Sequence, residues 1–403
     1  MSHQQIAEQT RRRGQSRNGQ CTVFVPEPSG ETGSRRCDLA SRVGYSFRQV
    51  FDRFGLGEHV SELPHGSLPQ TPVFDGGVGG DGCMYCSMEL GSTELAARLE
   101  GWTKESHGPD VRLVGEPEGN SSGFDSDIYF VRFEGESLVD RWRGPLVLRV
   151  RPEGVPVESA CHEARIQNWL ADSGFPAPRV LEVLDEDGPT GRPAQLMERA
   201  PGLLLIDAAK RRPWSARSLI GAMARLQVEL TRMSTVGFPD GADLLDRRLA
   251  LVRNTLDAVR DPNLEQALQR VEGRSGYLRN CEPVICHGDY HPLNVLADGR
   301  RLSVIDWSDA GLGDADGDLA RTLLLFKVAY LGASSPFEAR ILKAVGPRLE
   351  RTYRRAYETH RKPDPERVLA WQAVHAVHGW SQVVAARAGL FGVDPARLPE
   401  GLE

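Results

Sequence analysis

Val284-Ile-Cys-His-Gly-Asp-Tyr-His-Pro-Leu-Asn-Val-Leu296, then Ala297-Asp-Gly-Arg-Arg301, then Leu302-Ser-Val-Ile-Asp-Trp-Ser-Asp-Ala-Gly-Leu-Gly-Asp-Ala-Asp-Gly-Asp-Leu-Ala320 is the stretch that decides how this chain reads. Two short apolar runs, 283–286 and 302–305, each lead into an acid-bearing polar cluster. Residues 293–296 and the Asp298-Gly299 turn signal predict a hairpin between them. Such a hairpin brings Asp289, Asn294 and Asp306 together. A carboxylate, a carboxamide and a second carboxylate converging at strand ends suit phosphoryl transfer, in which positioning and charge neutralisation do most of the work. Asn294 and Asp306 supply the hard oxygen ligands that magnesium takes. Asp289 is then the acceptor of the hydroxyl proton, and His287, expected to be buried behind it, holds the loop backbone in shape. Asp314 and Asp318 read as caps ahead of the apolar run from Leu319. For Asp289 and Asp306 that reading is poor, because a buried carboxylate without a partner is costly and two of them imply a cation between. His291 reads as a solvated or hydrogen-bonded loop histidine.

His287-Gly288-Asp289, Asn294 five residues later, and then Ile305-Asp306-Trp307 resemble the aminoglycoside phosphotransferase family, including its choline-kinase-like relatives. The run from Gly313 to Ala320 resembles that family's continuation into a helix. The resemblance covers about 111–388. It implies an α+β, two-lobed protein-kinase-like fold: a small β-rich N-lobe on the nucleotide side (88–198) and a larger, mostly α C-lobe (199–403) with the catalytic loop, metal site and acceptor site. It also implies ATP as donor, with GTP left open, Mg2+, and a hydroxyl of a small molecule as acceptor.

Upstream, Leu95, Leu99 and Trp102 are spaced as one helical stripe. Strands are expected at 111–114, 128–133 and 145–150, and the Gly-Asn-Ser-Ser-Gly-Phe turn at 119–124 allows close backbone approach to an anion. A helix over 157–173 ends at Gly174 and Pro176 and places Glu163, Ile166 and Leu170 on one stripe. An acid on an apolar stripe needs a partner. The resemblance implies one, a strand cation that holds nucleotide phosphates; here it is Arg149 or Arg151 rather than the usual Lys, a planar fork in place of a point charge. A solvated edge glutamate is the alternative. The run 194–197 leading to Glu198-Arg-Ala-Pro-Gly202 resembles the interlobe hinge that meets the nucleotide base, with Met197 and Glu198 as candidate lining; an edge strand and a Pro-Gly turn would look the same. Helices are expected beyond it at 218–233, 243–259, 264–271, 319–331, 339–357 and 365–388. Leu226-Gln227 departs from the family's Leu-His, and His375 and His378 read as satisfied helix histidines.

The 403 residues carry a net charge of -6, with 40% apolar and 26% charged residues, so no basic field marks a nucleic-acid partner. No run approaches a membrane span or a secretory signal, and a cytoplasmic location is expected. Seven cysteines are too scattered for a disulfide framework. Cys161, Cys281 and Cys286 are expected to pack as small hydrophobes, and Cys83-x-x-Cys86 has no second pair to complete a zinc site. Two other readings stand beside phosphoryl transfer. One is a metal-dependent hydrolase using His287, Asp289 and His291 on one strand face, against which Pro292 and the Asn294 spacing argue. The other is a non-catalytic nucleotide-binding module, motivated by arginine in place of lysine.

On the acceptor side, residues 206–260 hold ten Lys or Arg against six acids. A polycation such as an aminoglycoside therefore meets no acid-rich wall, and a neutral or anionic hydroxylated metabolite is the expected acceptor. Residues 1–87 mix Gly, Ser, Pro and Arg without apolar periodicity and are expected to be a disordered tail. Deleting them should leave the melting temperature and far-UV spectrum essentially unchanged. A large loss of stability on deletion would show that the tail packs.

Overall fold

The computed structural model describes residues 92–120, 126–329 and 336–390. Expectations for the tail, for Cys83 and Cys86 and for most of the 119–124 turn fall outside the described residues. The β-rich half starts with helix α1 (Ser92–His107), whose Leu95 and Leu99 are buried as their spacing predicts. Strands β1 (Arg112–Leu113), β2 (Glu118–Asn120), β3 (Asp127–Val131), β4 (Phe133–Glu134) and β5 (Leu146–Val150) follow. Helix α2 (Val157–Asp172) then leads to β6 (Val180–Leu184) and β7 (Ala194–Glu198). Strands β1 and β4 pair, while the others form an antiparallel sheet of order β2-β3-β5-β7-β6. Strand β6 is absent from the sequence expectations: it is an edge strand whose register shifts between Val180 and Glu182, which blurs the alternation that marks a strand.

Alternation along β5 sets the polarity of this half. Leu146, Leu148 and Val150 point into a core with Leu95, Leu99, Phe133, Trp142 and Leu196. The alternate residues face α2: Val147 packs on the Ala164, Val180 and Met197 cluster, and Arg149 and Arg151 both reach Glu163.

The helical half is built from β8 (Leu203–Leu204), α3 (Leu205–Arg211), α4 (Ala216–Leu230), α5 (Leu244–Ala258), α6 (Pro262–Glu272), α7 (Ser275–Arg279), β9 (Val284–Cys286), β10 (Val295–Asp298), β11 (Arg301–Val304), β12 (Gly311–Gly313), α8 (Ala315–Val328), α9 (Pro336–His360) and α10 (Pro365–Arg387). The expected hairpin is present: β10 pairs antiparallel with β11 through Asp298 opposite Arg301, with Gly299 at φ 61° in the turn. Strand β8 adds to the other edge of β10, and β9 pairs with β12. Gly202 lies where the chain crosses between the halves, at φ 102°, and a Cβ there would sit 2.3 Å from the Ala297 carbonyl oxygen, so only glycine fits. Asp314 caps α8 by accepting from the Asp316 N–H, as expected. Asp318 does not cap: it lies inside α8, fully buried, and reaches the Gly288 N–H of the 287–294 segment. Of the three cysteines expected to pack as hydrophobes, Cys286 is buried, Cys281 half-buried and Cys161 exposed on α2. Among the described residues no helix is long and apolar enough to cross a membrane.

His375 and His378 are buried on α10. His375 Nε2 donates to the Gly317 carbonyl at 2.9 Å, and the Nδ1 atom of each ring lacks a hydrogen-bond partner. Burial first, and then the charges of Arg248 and Arg321, hold both imidazoles well below the usual histidine range, so they are neutral when folded. In the unfolded chain they take up protons near pH 6.5. Their folded values are depressed, so the stability they contribute is present above that pH and is lost as pH falls. We expect the unfolding free energy to drop below pH 6.5 by about 1.4 kcal/mol per pH unit per histidine. Denaturant titrations across pH 7 to 5 check this, and His375→Gln should shallow the slope; identical slopes would show that His375 does not carry it.

Candidate active site

Residues 287–294 form an irregular loop between β9 and β10, and nearly every polar group in it is tied down. Gly288 adopts φ 80°, and a Cβ on it would lie 2.3 Å from the Asp309 carbonyl oxygen, so the loop needs glycine there. The Asp289 N–H donates to His287 Nδ1 at 3.3 Å, which leaves Nε2–H of the buried imidazole to donate to the Ile305 carbonyl at 3.1 Å. His287 also packs against Trp307 and Tyr290. It therefore braces the loop against the end of β11 and does not face the cleft. From below, Gln227 Nε2 donates to Asp318 and Thr322 while its carbonyl accepts from Tyr353, and Asp318 accepts the Gly288 N–H at 2.8 Å. Thr322 donates to the Tyr290 carbonyl. Arg248, fully buried, donates to the Gly288 carbonyl and to Asp309. Gln227 thus acts through the loop's scaffold.

Asp289 is held from two sides. Arg321 on α8 places Nε and one Nη within 3.0 and 2.9 Å of its Oδ1, and His291 Nε2 lies 3.1 Å from Oδ2. His291 Nδ1 accepts the Leu293 N–H, so the ring is hydrogen-bonded at both nitrogens, as expected of it. Burial opposes ionisation of Asp289, but Arg321 and then His291 outweigh it and hold the carboxyl well below the usual carboxylate range. Asp289 is ionised at neutral pH.

Asn294 Nδ2 donates to the Asp289 carbonyl at 3.0 Å, which orients the amide with Oδ1 on the opposite side. The Asn294 carbonyl in turn accepts from the Ile305 N–H, so this residue ties the loop to the residue preceding Asp306. Asp306 is the one non-glycine with positive φ among the described residues, at 64°. An aspartate tolerates this left-handed geometry better than a bulky residue, and such strain clusters at functional sites. The bend sends the Trp307 N–H to Glu163 at 3.0 Å and the Asp306 carboxylate to Arg149 at 3.1 Å. Burial raises the Asp306 carboxyl, yet Arg149 and the Ser308 hydroxyl bring it below its ordinary value despite the repulsion of Asp289. Arg149 bridges Glu163, at 2.9 Å, and Asp306, while Arg151 meets the other Glu163 oxygen and is more deeply buried. Arg149 is therefore the arginine that reaches the cleft.

A hard divalent cation fits the donor set. Asn294 Oδ1 and Asp306 Oδ2 are oxygen atoms not used in the hydrogen bonds just described, and Arg149 takes only Asp306 Oδ1. The hydrolase arrangement fares worse: His287 turns its ring to Ile305 and the 287–291 segment is not extended. Among the described residues no group of three or more His, Cys, Asp or Glu is arranged to hold a metal. Met197 is buried against Ala164 and Val180, and the Glu198 side chain accepts from the Arg179 N–H; neither joins the polar cluster. Arg321, Arg248 and Asp318 are the participants that sequence reasoning missed. Asp318 and Arg321 both lie in or just beyond the quoted motif, one helical turn apart, but nothing in their spacing says which loop atoms they meet.

The model of the phosphotransferase enzyme family matches residues 116–371. Over 228 residues the chain is 27% identical to the Mus musculus protein named acyl-CoA dehydrogenase family member 10. That match takes in 53% of this chain and 20% of the relative, so the chain spans about a fifth of that protein's length. Among solved structures, the GDP complex of an aminoglycoside 2′-phosphotransferase IIIa mutant is similar in fold, with TM-score 0.50 and 19% identity, covering 76% of this chain and 95% of that one. A macrolide 2′-phosphotransferase from Brachybacterium faecium gives a TM-score of 0.48 with 16% identity, covering 76% and 99%.

The buried carboxylate at the centre of this network makes a stability prediction. Glu163→Gln removes the buried anion that two guanidinium groups share, and should lower the unfolding free energy by about 3 kcal/mol or more. Glu94→Gln, which breaks an exposed pair with Arg98, should cost about 1 kcal/mol or less. Urea denaturation of the two variants checks the contrast, and equal losses would remove Glu163 from its central place.

Proposed function

The chain belongs to the phosphotransferase enzyme family, and on that footing we propose that it moves the γ-phosphoryl group of ATP to a hydroxyl of a small molecule. What carries this reading is the convergence of Asp289, Asn294 and Asp306 in one loop system with the Arg149–Glu163 pair supplied by the other half of the fold. Asp289 accepts the hydroxyl proton as the acceptor oxygen bonds to phosphorus and the bond to the ADP oxygen breaks. His291 and Arg321 fix the orientation of that carboxylate, and His287 fixes the backbone beneath it. Asn294 and Asp306 are the residues that would hold Mg2+, which offsets negative charge on the phosphate oxygens. Arg149, positioned by Glu163, is the cation for the nucleotide phosphates. Met197 and the 198–202 segment border the base, so that 88–198 forms the nucleotide side and 199–403 the acceptor side. The family resemblance favours ATP, while the GDP complex among the structural relatives keeps GTP as the alternative donor.

ADP formation against a panel of hydroxylated metabolites tests the activity. Asp289→Asn should leave nucleotide binding near wild type but lower turnover by about 100-fold or more, since it removes the proton acceptor and leaves the proposed metal ligands in place. Asp306→Ala should weaken binding of the magnesium nucleotide as well. Unchanged turnover in Asp289→Asn would sink the mechanism.

A further inference from the structure

The acceptor side of the cleft has a charge pattern that the reaction itself does not require. Arg321 uses Nε and one Nη on a single oxygen of Asp289, and among the described residues no other acceptor takes its remaining N–H groups. Its side chain is 12% exposed beside an Asp289 that is 27% exposed, so the guanidinium lies at the rim of the position where the acceptor hydroxyl must arrive. Helices α8 and α10 pack in parallel: Trp371 bonds Asp314, and His375 bonds Gly317, one step further along both. One more turn sets Arg321 level with His378. Behind them Arg248, itself 1% exposed, has an Nε–H with no partner, and so have the Nδ1 atoms of both histidines.

Acids are missing from the same walls. After Asp318 the rest of α8 carries none, and after Glu366 neither does α10. Of the six acids in 206–260, Asp240 is bound by Arg247 and His162, Asp243 caps α5, and Asp246 pairs with Arg279. Asp309 is taken by Arg248. Asp289, the proposed proton acceptor, is the acid that Arg321 contacts.

We propose that Arg321 is the anchor for an anionic group, a carboxylate or a phosphate, carried by the acceptor a short distance from the hydroxyl that is phosphorylated. The inference rests on the phosphotransferase reading of this site. In the free protein the guanidinium is shared with Asp289. An entering anion competes for it, which loosens Asp289 and leaves that carboxylate better able to take the hydroxyl proton. An uncharged analogue would leave Asp289 tied to Arg321. A polycation would meet a like charge at the point of entry.

The test pairs charged and uncharged acceptors of the same shape: hydroxy carboxylates with their primary amides, and sugar phosphates with the free sugars. Binding is measured calorimetrically with Mg2+ and a non-hydrolysable ATP analogue, and kcat/KM by ADP formation. For at least one pair the charged member should bind about 10-fold or more tighter, as a charge-assisted bidentate contact provides. Whether the carboxylate or the phosphate series shows the effect identifies the group. In Arg321→Gln the preference should vanish with nucleotide affinity unchanged, and Arg321→Lys should restore part of it. No preference for the charged member of any pair in the wild type, or one that survives undiminished in Arg321→Gln, overturns the proposal. Should Arg321→Gln not fold, the wild-type comparison decides alone. A charge preference in binding without ADP formation from any compound would sink the phosphotransferase reading and leave the anion site standing. Equal turnover of both members of every pair would do the reverse.

Discussion

Glu163 sits where three donors converge: the guanidinium groups of Arg149 and Arg151 from one strand, and the Trp307 N–H from the far half of the fold. A carboxylate with 1% of its surface exposed is tolerable only because all three are present. The same contact makes the two halves depend on each other. Arg149 is held straight by Glu163 and so can reach Asp306, and Asp306 is held in its left-handed bend partly because Trp307 is anchored to Glu163. Misplacing any one of them would leave a buried charge or a strained backbone without support.

A second constraint fixes the loop that carries Asp289. No regular element contains it, so its backbone groups must find partners one by one. They do so through His287, Asp318, Thr322 and Arg248, with Gln227 bonded to Asp318 and Tyr353 to Gln227 below. Buried polar networks of this kind rigidify a site when every member is satisfied. Here the partners come from α4, α8 and α9, so a loop of a few residues is referred to the whole helical core. That rigidity allows Asp289 to remain ionised beside Asp306: the arginines and the histidine that hold each carboxylate outweigh their mutual repulsion.

The distribution of charge divides the cleft by task. On the strand side Arg149 bridges Glu163 and Asp306 and faces the place proposed for phosphates, whereas on the helical side Arg321 pairs with Asp289, the proposed proton acceptor. A fold similar to that of an aminoglycoside 2′-phosphotransferase does not by itself set the acceptor, because the fold is a scaffold and the site chemistry is grafted onto it.

Much of this was legible in the chain itself. The hairpin, the glycine turn and the order His287, Asp289, Asn294, Asp306 follow from apolar runs, turn residues and polar side chains close together in sequence, where local rules apply. Glu163 on the inner stripe of its helix was legible for the same reason, since a period of 3.6 places it beside Ile166 and Leu170. Which of its two arginine partners reaches the cleft was not. That depends on how strand and helix dock, and Arg149 and Arg151 alternate onto the same side of the chain at the end of β5. Asp318 has the composition of a cap, yet α8 starts earlier, at Ala315, so it falls inside the helix and its carboxylate turns to the Gly288 N–H instead. Strand β6 and the meeting of Arg321 with Asp289 were hidden for a like reason: an irregular edge and a contact across 32 residues leave no periodic trace. Sequence determined which side chains were available for the chemistry and in what local order, because those follow from short-range geometry. Tertiary packing decided which charges face one another, because that is set only when helices and strands distant in the chain bury their surfaces together.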